Sequence, residues 1–165
     1  MKSSNNYMAD ILTKNLAAEK GEIPATLPQG LEVVKQFLDR LGIQRTEYHL
    51  ISASGYSQQN MISPATLCKV LTHLKNNIQV STAFLSSLPI AGVDGTLRRH
   101  MRRSPARGRI HAKTGYIDGA TGLAGFIATP DGHNLTFALI YNGRKPAYKV
   151  KQVFDQICID LVHPS

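Results

Sequence analysis

Residues 123–129 and 135–141 are two nearly continuous apolar runs, and they constrain the fold more than any other feature of the sequence. Between them lies Pro130-Asp131-Gly132, a hairpin signal. A strand with one wet face alternates apolar and polar residues. These runs do not alternate, so both faces of the sheet they form must be covered. Residues 109–113 read as a third strand. The covering layers must be helices, and the rest of the chain has the periodicity for them. The expected class is α/β (α+β), an antiparallel sheet sandwiched by helices. Three strands are few, because natural sheets usually have about four to six. Part of the sheet is therefore expected to be missing from this sequence.

The helical patterns come in order. Residues 4–19 carry a stripe of Met8, Ile11, Leu12 and Leu16, with Ser3 or Ser4 as the cap. Residues 21–30 should be a loop broken by Pro24 and Pro28. A second helix is expected over 31–41, burying Leu31, Val34, Leu38 and Leu41 and stopping at Gly42. Residues 47–51 suit a short strand and 52–60 a polar loop. Ser63-Pro64 is a helix start, with a serine cap and proline at the first helical position. Leu67, Val70, Leu71 and Leu74 should form the buried face of that helix. Residues 80–88 suit a short helix ended by Pro89, and 92–95 a turn. The last helix, 146–162, should turn Val150, Val153, Phe154, Ile157 and Leu161 inward.

The 165 residues fit one domain or a large piece of one. At 42% hydrophobic, the chain can build a core. No apolar run approaches the length of a membrane span, and the N-terminus lacks the apolar segment of a secretory signal. The net charge is +8, much of it in Arg98, Arg99, Arg102, Arg103, Arg107 and Arg109. Such a surface favours anionic partners. No aromatic residue is interleaved among those arginines and no nucleic-acid module appears, so nucleic acid is not expected as a partner. The histidines have no zinc spacing, and no cofactor is expected. Cys68 and Cys158 could pair or remain buried thiols.

The chemistry centres on Lys113-Thr114-Gly115 at the end of the third strand. Alternation sends His111 and Lys113 to one face and Ile110 and Ala112 to the other. An ammonium and a hydroxyl then stand beside a glycine that leaves room for a ligand alongside the strand. Such a group suits a substrate carboxylate and a developing oxyanion. A second signal, Ser4-Asn5-Asn6, is a weak pattern by itself and gains meaning only in partnership with Lys113.

Taken together, several stretches resemble the class C low-molecular-mass penicillin-binding proteins, the D-alanyl-D-alanine carboxypeptidase/endopeptidases of peptidase family S13. They are Ser4-Asn5-Asn6-Tyr7-Met8-Ala9-Asp10, Ser54-Gly55-Tyr56-Ser57, Ser63-Pro64-Ala65-Thr66-Leu67, Leu88 through Leu97, Gly108 through Gly115, and Leu123-Ala124-Gly125-Phe126. They occur in the family's order over nearly the whole chain. The resemblance implies a fold like that of serine β-lactamases and penicillin-binding proteins. It implies that Ser4 relays a proton in acyl transfer and that Asn6 bonds the substrate amide. Lys113 would supply positive potential, Thr114 would bind the terminal carboxylate, Gly115 would leave room, and the Tyr116 N–H would face the oxyanion. Ser54, Tyr56 and Gln58 would line the stem-peptide side.

The family usually reads Asp-Gly-Ser-Gly-Leu-Ser-Arg where this chain has Ser52-Ala53-Ser54-Gly55-Tyr56-Ser57-Gln58. Tyr116 stands where a small Ser or Thr is usual. The resemblance also implies a partner, peptidoglycan stem peptide ending in D-Ala-D-Ala. β-Lactams would join it where the full domain is present, and the compartment would be the periplasm or cell envelope.

The nucleophile motif of that family is Ser-x-x-Lys, and no lysine here has a serine three residues before it. The expectation is that residues 1–165 are the C-terminal portion of one S13 domain, without its nucleophile-bearing N-terminal part, and are inactive alone. The alternative is a non-catalytic remnant that binds D-Ala-D-Ala.

Overall fold

The computed structural model describes residues 1–162 and divides them into two compact units. One comprises Met1–Ser4 and the chain from Leu67 onward; the other is Asn5–Thr66.

The larger unit holds the three-stranded sheet. Strands β3 (Ile110–Ile117), β4 (Ala120–Ala128) and β5 (Asn134–Asn142) pair antiparallel in the order β3-β4-β5. β3 and β4 form a hairpin with Lys113 opposite Ala124 and Gly115 opposite Gly122. All three strands are longer than the sequence reading of 109–113, 123–129 and 135–141. The Asp118-Gly119 turn, with Gly119 at φ 78°, closes the first hairpin tightly and lets pairing run to its end.

Helices cover the sheet on both sides, as the missing alternation requires. On one side lies α5 (Ala147–Val162), with Val150, Phe154, Cys158 and Val162 buried against Ile110, Ala112, Leu123 and Ile127. The buried stripe runs at strict four-residue spacing. Val153 is 57% exposed and Ile157 sits at the rim, which corrects two expected core positions. On the other side, Phe84 of α4 (Ser81–Ser87) meets Phe126 edge-on with centroids 6.2 Å apart. Lys75, near the end of α3 (Pro64–Asn76), lies over that same ring. The apolar face expected for α3, Leu67, Val70, Leu71 and Leu74, is only half-buried. The arginine-rich stretch is a string of turns folded over buried Leu97, Met101 and Ala106, with five arginines outward. Both cysteines are free thiols.

The smaller unit packs α1 (Asn6–Ala18) against α2 (Leu27–Arg40). Asn5, not Ser3 or Ser4, caps α1, its Oδ1 accepting from the Met8 N–H at 3.0 Å. The face of α1 that packs carries Thr13 and Ala17, and Gly30 of α2 sits directly on the Thr13 carbonyl. Met8, Leu12 and Leu16 are exposed within this unit, against expectation. α2 begins four residues before the expected start. Thr26 and Gln29 form a capping box, and Pro28 serves the first turn instead of breaking the chain. Two short strands, β1 (Tyr48–His49) and β2 (Met61–Ile62), pair antiparallel around the loop 50–60.

Candidate active site

β3 carries the site. Ile110 and Ala112 are fully buried on the α5 side, which turns Lys113 to the opposite face. The Lys113 Nζ donates to Ser4 Oγ at 2.7 Å and to its neighbour's carbonyl, Thr114 O, at 2.5 Å. Burial lowers the Lys113 ammonium from its ordinary value, because the charged form loses water. Ser4 adopts φ 50°, a left-handed backbone that few non-glycine residues take. The serine read as a helix cap is therefore the partner of the strand lysine.

Three further residues complete the arrangement. The Lys2 ammonium is ion-paired with Asp94, whose carboxyl is held below its ordinary value by that contact. The Thr96 N–H donates to the Lys2 carbonyl at 3.2 Å. The Thr114 hydroxyl donates to the Thr96 hydroxyl at 2.9 Å. Sequence reasoning assigned no role to Lys2, Asp94 or Thr96. The only signal was the turn Asp94-Gly95-Thr96 inside a stretch already matched by resemblance.

Gly115 is exposed, and an added Cβ would find its nearest neighbour at 3.9 Å in Gly122. The strand edge beside Lys113 is thus open. The Tyr116 ring is 60% exposed, and the Lys151 ammonium lies over it, 5.4 Å from the centroid.

Ser4, Lys113, Thr114, Gly115 and Tyr116 all belong to the larger unit. Asn6, Ser54, Tyr56 and Gln58 belong to the smaller one. Asn6 is the exposed first residue of α1. Ser54 lies in a loop pinned by Asn60, whose Oδ1 accepts from the N–H groups of Ile51 and Ser52. The Ser54 N–H donates to Asp10 at 3.2 Å, and its hydroxyl meets that of Ser52 at 3.0 Å. Tyr56 is 73% exposed and Gln58 is exposed.

A partly desolvated ammonium against a serine hydroxyl can lower the cost of an alkoxide or pass a proton through it. Two threonine hydroxyls beside it can hold a carboxylate oxygen. A sheet under helices with this group on an edge strand defines the class of serine β-lactamases and penicillin-binding proteins. A β-lactamase from Sphaerobacter thermophilus shares the fold, with a TM-score of 0.62 at 22% identity over 81% of this chain and 54% of that one.

Within that class the chain belongs to the D-Ala-D-Ala carboxypeptidase 3 (S13) family, whose model matches residues 1–159. It is 34% identical over 145 residues to the D-alanyl-D-alanine carboxypeptidase DacB of Haemophilus influenzae, 87% of this chain and 30% of that protein. The crystal structure of penicillin binding protein 4 from Haemophilus influenzae, complexed with a β-lactam, superposes with a TM-score of 0.87. The identity is 29%, covering 98% of this chain and 40% of that one. The chain thus spans about a third of the length of such relatives. Among the described residues no helix is long and apolar enough to cross a membrane.

Proposed function

We propose that these residues form the Ser-x-Asn and Lys-Thr-Gly portion of a serine-type D-Ala-D-Ala carboxypeptidase/endopeptidase acting on peptidoglycan stem peptides in the periplasm or cell envelope. The observation that carries this reading is the 2.7 Å hydrogen bond from Lys113 Nζ to Ser4 Oγ, made across 109 positions of sequence. In this reading Ser4 relays the proton and Lys113 stabilises the charge that develops on the oxygens. Thr114 takes the terminal carboxylate, Gly115 admits the peptide, and the Tyr116 N–H faces the oxyanion. Asn6 bonds the substrate amide, and Ser54, Tyr56 and Gln58 serve the stem-peptide side. The relatives' β-lactam complex supports β-lactams as ligands of the whole domain.

Acyl transfer needs an activated serine, and the 165 residues hold no Ser-x-x-Lys. In this reading the acylated serine is not one of these 165 residues. An acetylated peptide ending in D-Ala-D-Ala should bind the chain weakly, and Lys113→Ala or Thr114→Val should abolish the binding. Fluorescent penicillin should leave no covalent adduct on the 165-residue chain. A wild-type chain indifferent to the peptide sinks the reading. An adduct overturns the placement of the nucleophile.

A further inference from the structure

Ser4 holds a left-handed backbone at φ 50° and lies just ahead of the first helix. Residues 1–4 close a turn of their own, the Ser4 N–H donating to the Met1 carbonyl at 3.2 Å. The bonds that tie this turn to the rest of the unit, apart from that of Ser4 itself, converge on the turn at 94–96. Asp94 takes the Lys2 ammonium on Oδ2, while its Oδ1 accepts from the Ile90 N–H at 2.9 Å. Both carboxylate oxygens are engaged, so the group is oriented before Lys2 reaches it. The Thr96 N–H takes the Lys2 carbonyl at 3.2 Å. Gly95, at φ 54°, permits this approach: a Cβ there would stand 2.9 Å from the Lys2 oxygen and 3.0 Å from Pro89 Cβ. Two residues further along, Ser4 Oγ meets Lys113 Nζ. The same turn reaches the other half of the group, since the Thr96 hydroxyl accepts from Thr114.

We propose that Asp94 is a positioning residue, which, with Gly95 and Thr96, anchors Lys2 so that Ser4 is presented to Lys113. This rests on the reading of Ser4 and Lys113 as the working pair. Asp94 touches no substrate in this scheme; it acts through Lys2. His111 is the other titratable group facing it. The Lys2–Asp94 pair is more than a third exposed, so its worth lies in geometry more than in attraction.

The test is competitive acetylation of the full chain at micromolar concentration across a pH series. Peptide mass spectrometry reads the Lys113 rate, with exposed Lys20 as internal standard. In the wild type Lys113 should reach a lower limiting rate than Lys20, because Ser4 shields it. Ser4→Ala should raise that limit. Asp94→Asn should raise it equally while the cooperative melt persists, and Lys2→Arg should stay at the wild-type value. If Asp94→Asn stays at wild type while Ser4→Ala rises, the anchoring inference is wrong and the pair stands. If Ser4→Ala also changes nothing, the pair itself fails and takes the inference with it. Should Asp94→Asn lose its cooperative melt, Lys2→Met carries the same comparison.

Discussion

Lys113 is an ionisable group placed where water is scarce, and its burial has a sign that can be measured. Its pKa is lowered in the folded chain, so between that lowered value and the unfolded value near 10.5 the unfolded chain binds more protons. Stability contributed through this residue therefore rises with pH across that window and is lowest below it. A Lys113→Met chain should lose this alkaline gain, visible as a flatter difference in urea midpoints between pH 8 and 11. Glycines divide in the same residue-level way. At Gly125 a Cβ would fall on the His111 carbonyl and 2.6 Å from Ala112 Cα, so β3 would have to move. Gly125→Ala should cost about 3 kcal/mol or more in urea denaturation. Gly115→Ala meets nothing closer than 3.9 Å and should melt like wild type, yet lose binding of a D-Ala-D-Ala peptide, because the methyl occupies the open edge. Lys113 and Thr114 could be singled out from the sequence as a tripeptide at a strand end, and Ser4 only through a resemblance that spans the chain; their contact is what the fold adds. Lys2, Asp94 and Thr96 could not be singled out, because a backbone carbonyl acceptor leaves no mark on residue identity and the ion pair spans 92 positions.

At the scale of elements, the strands and most helices could be read from periodicity, and the misreadings share a cause. Pro28 has the look of a breaker in sequence, but a proline just after a threonine cap begins a helix; the Thr26–Gln29 box decides between the two. α1 showed an apolar stripe, yet the face that packs is Thr13 and Ala17. Close approach of α2 at Gly30 selects small residues there over large ones. The turn at 130–132 was read correctly as the hairpin between β4 and β5, and its electrostatics yield a pH effect. Bonds from Thr129 and then His133 hold Asp131 down to about 2. Whatever stability it contributes is complete above its ordinary value of 3.8 and is lost as pH falls through about 2. Asp131→Asn should lower the melting temperature at pH 7 and converge with wild type near pH 2. A constant gap down to pH 2 would show that the contribution does not depend on ionisation.

At the scale of the molecule, each unit presents surface that a finished domain normally covers. The outer edge of β5 pairs with no strand among the described residues, and such edges recruit other strands. Tyr7, Met8, Leu12 and Leu16 are exposed within the smaller unit. The 165-residue chain should self-associate as concentration rises, seen as growing sedimentation coefficients; a constant monomer across the series would refute this. The sequence already implied the exposed edge through its strand count, but not the bare helix face, because periodicity reports a stripe without reporting what lies against it. The discontinuity of the larger unit adds a kinetic consequence. Met1–Ser4 joins residues from Leu67 onward, so the Ser4–Lys113 bond closes a loop of more than a hundred residues. Loop closure of that length is entropically unfavourable until the sheet exists to reward it, and non-local contacts form slowly. The strand lysine is ready as soon as the hairpin folds, whereas the serine is recruited afterwards. In hydrogen exchange the amides of residues 2–4 should therefore open at far lower free energy than those of β3, making assembly of this group the last step of folding and its loss the first step of unfolding.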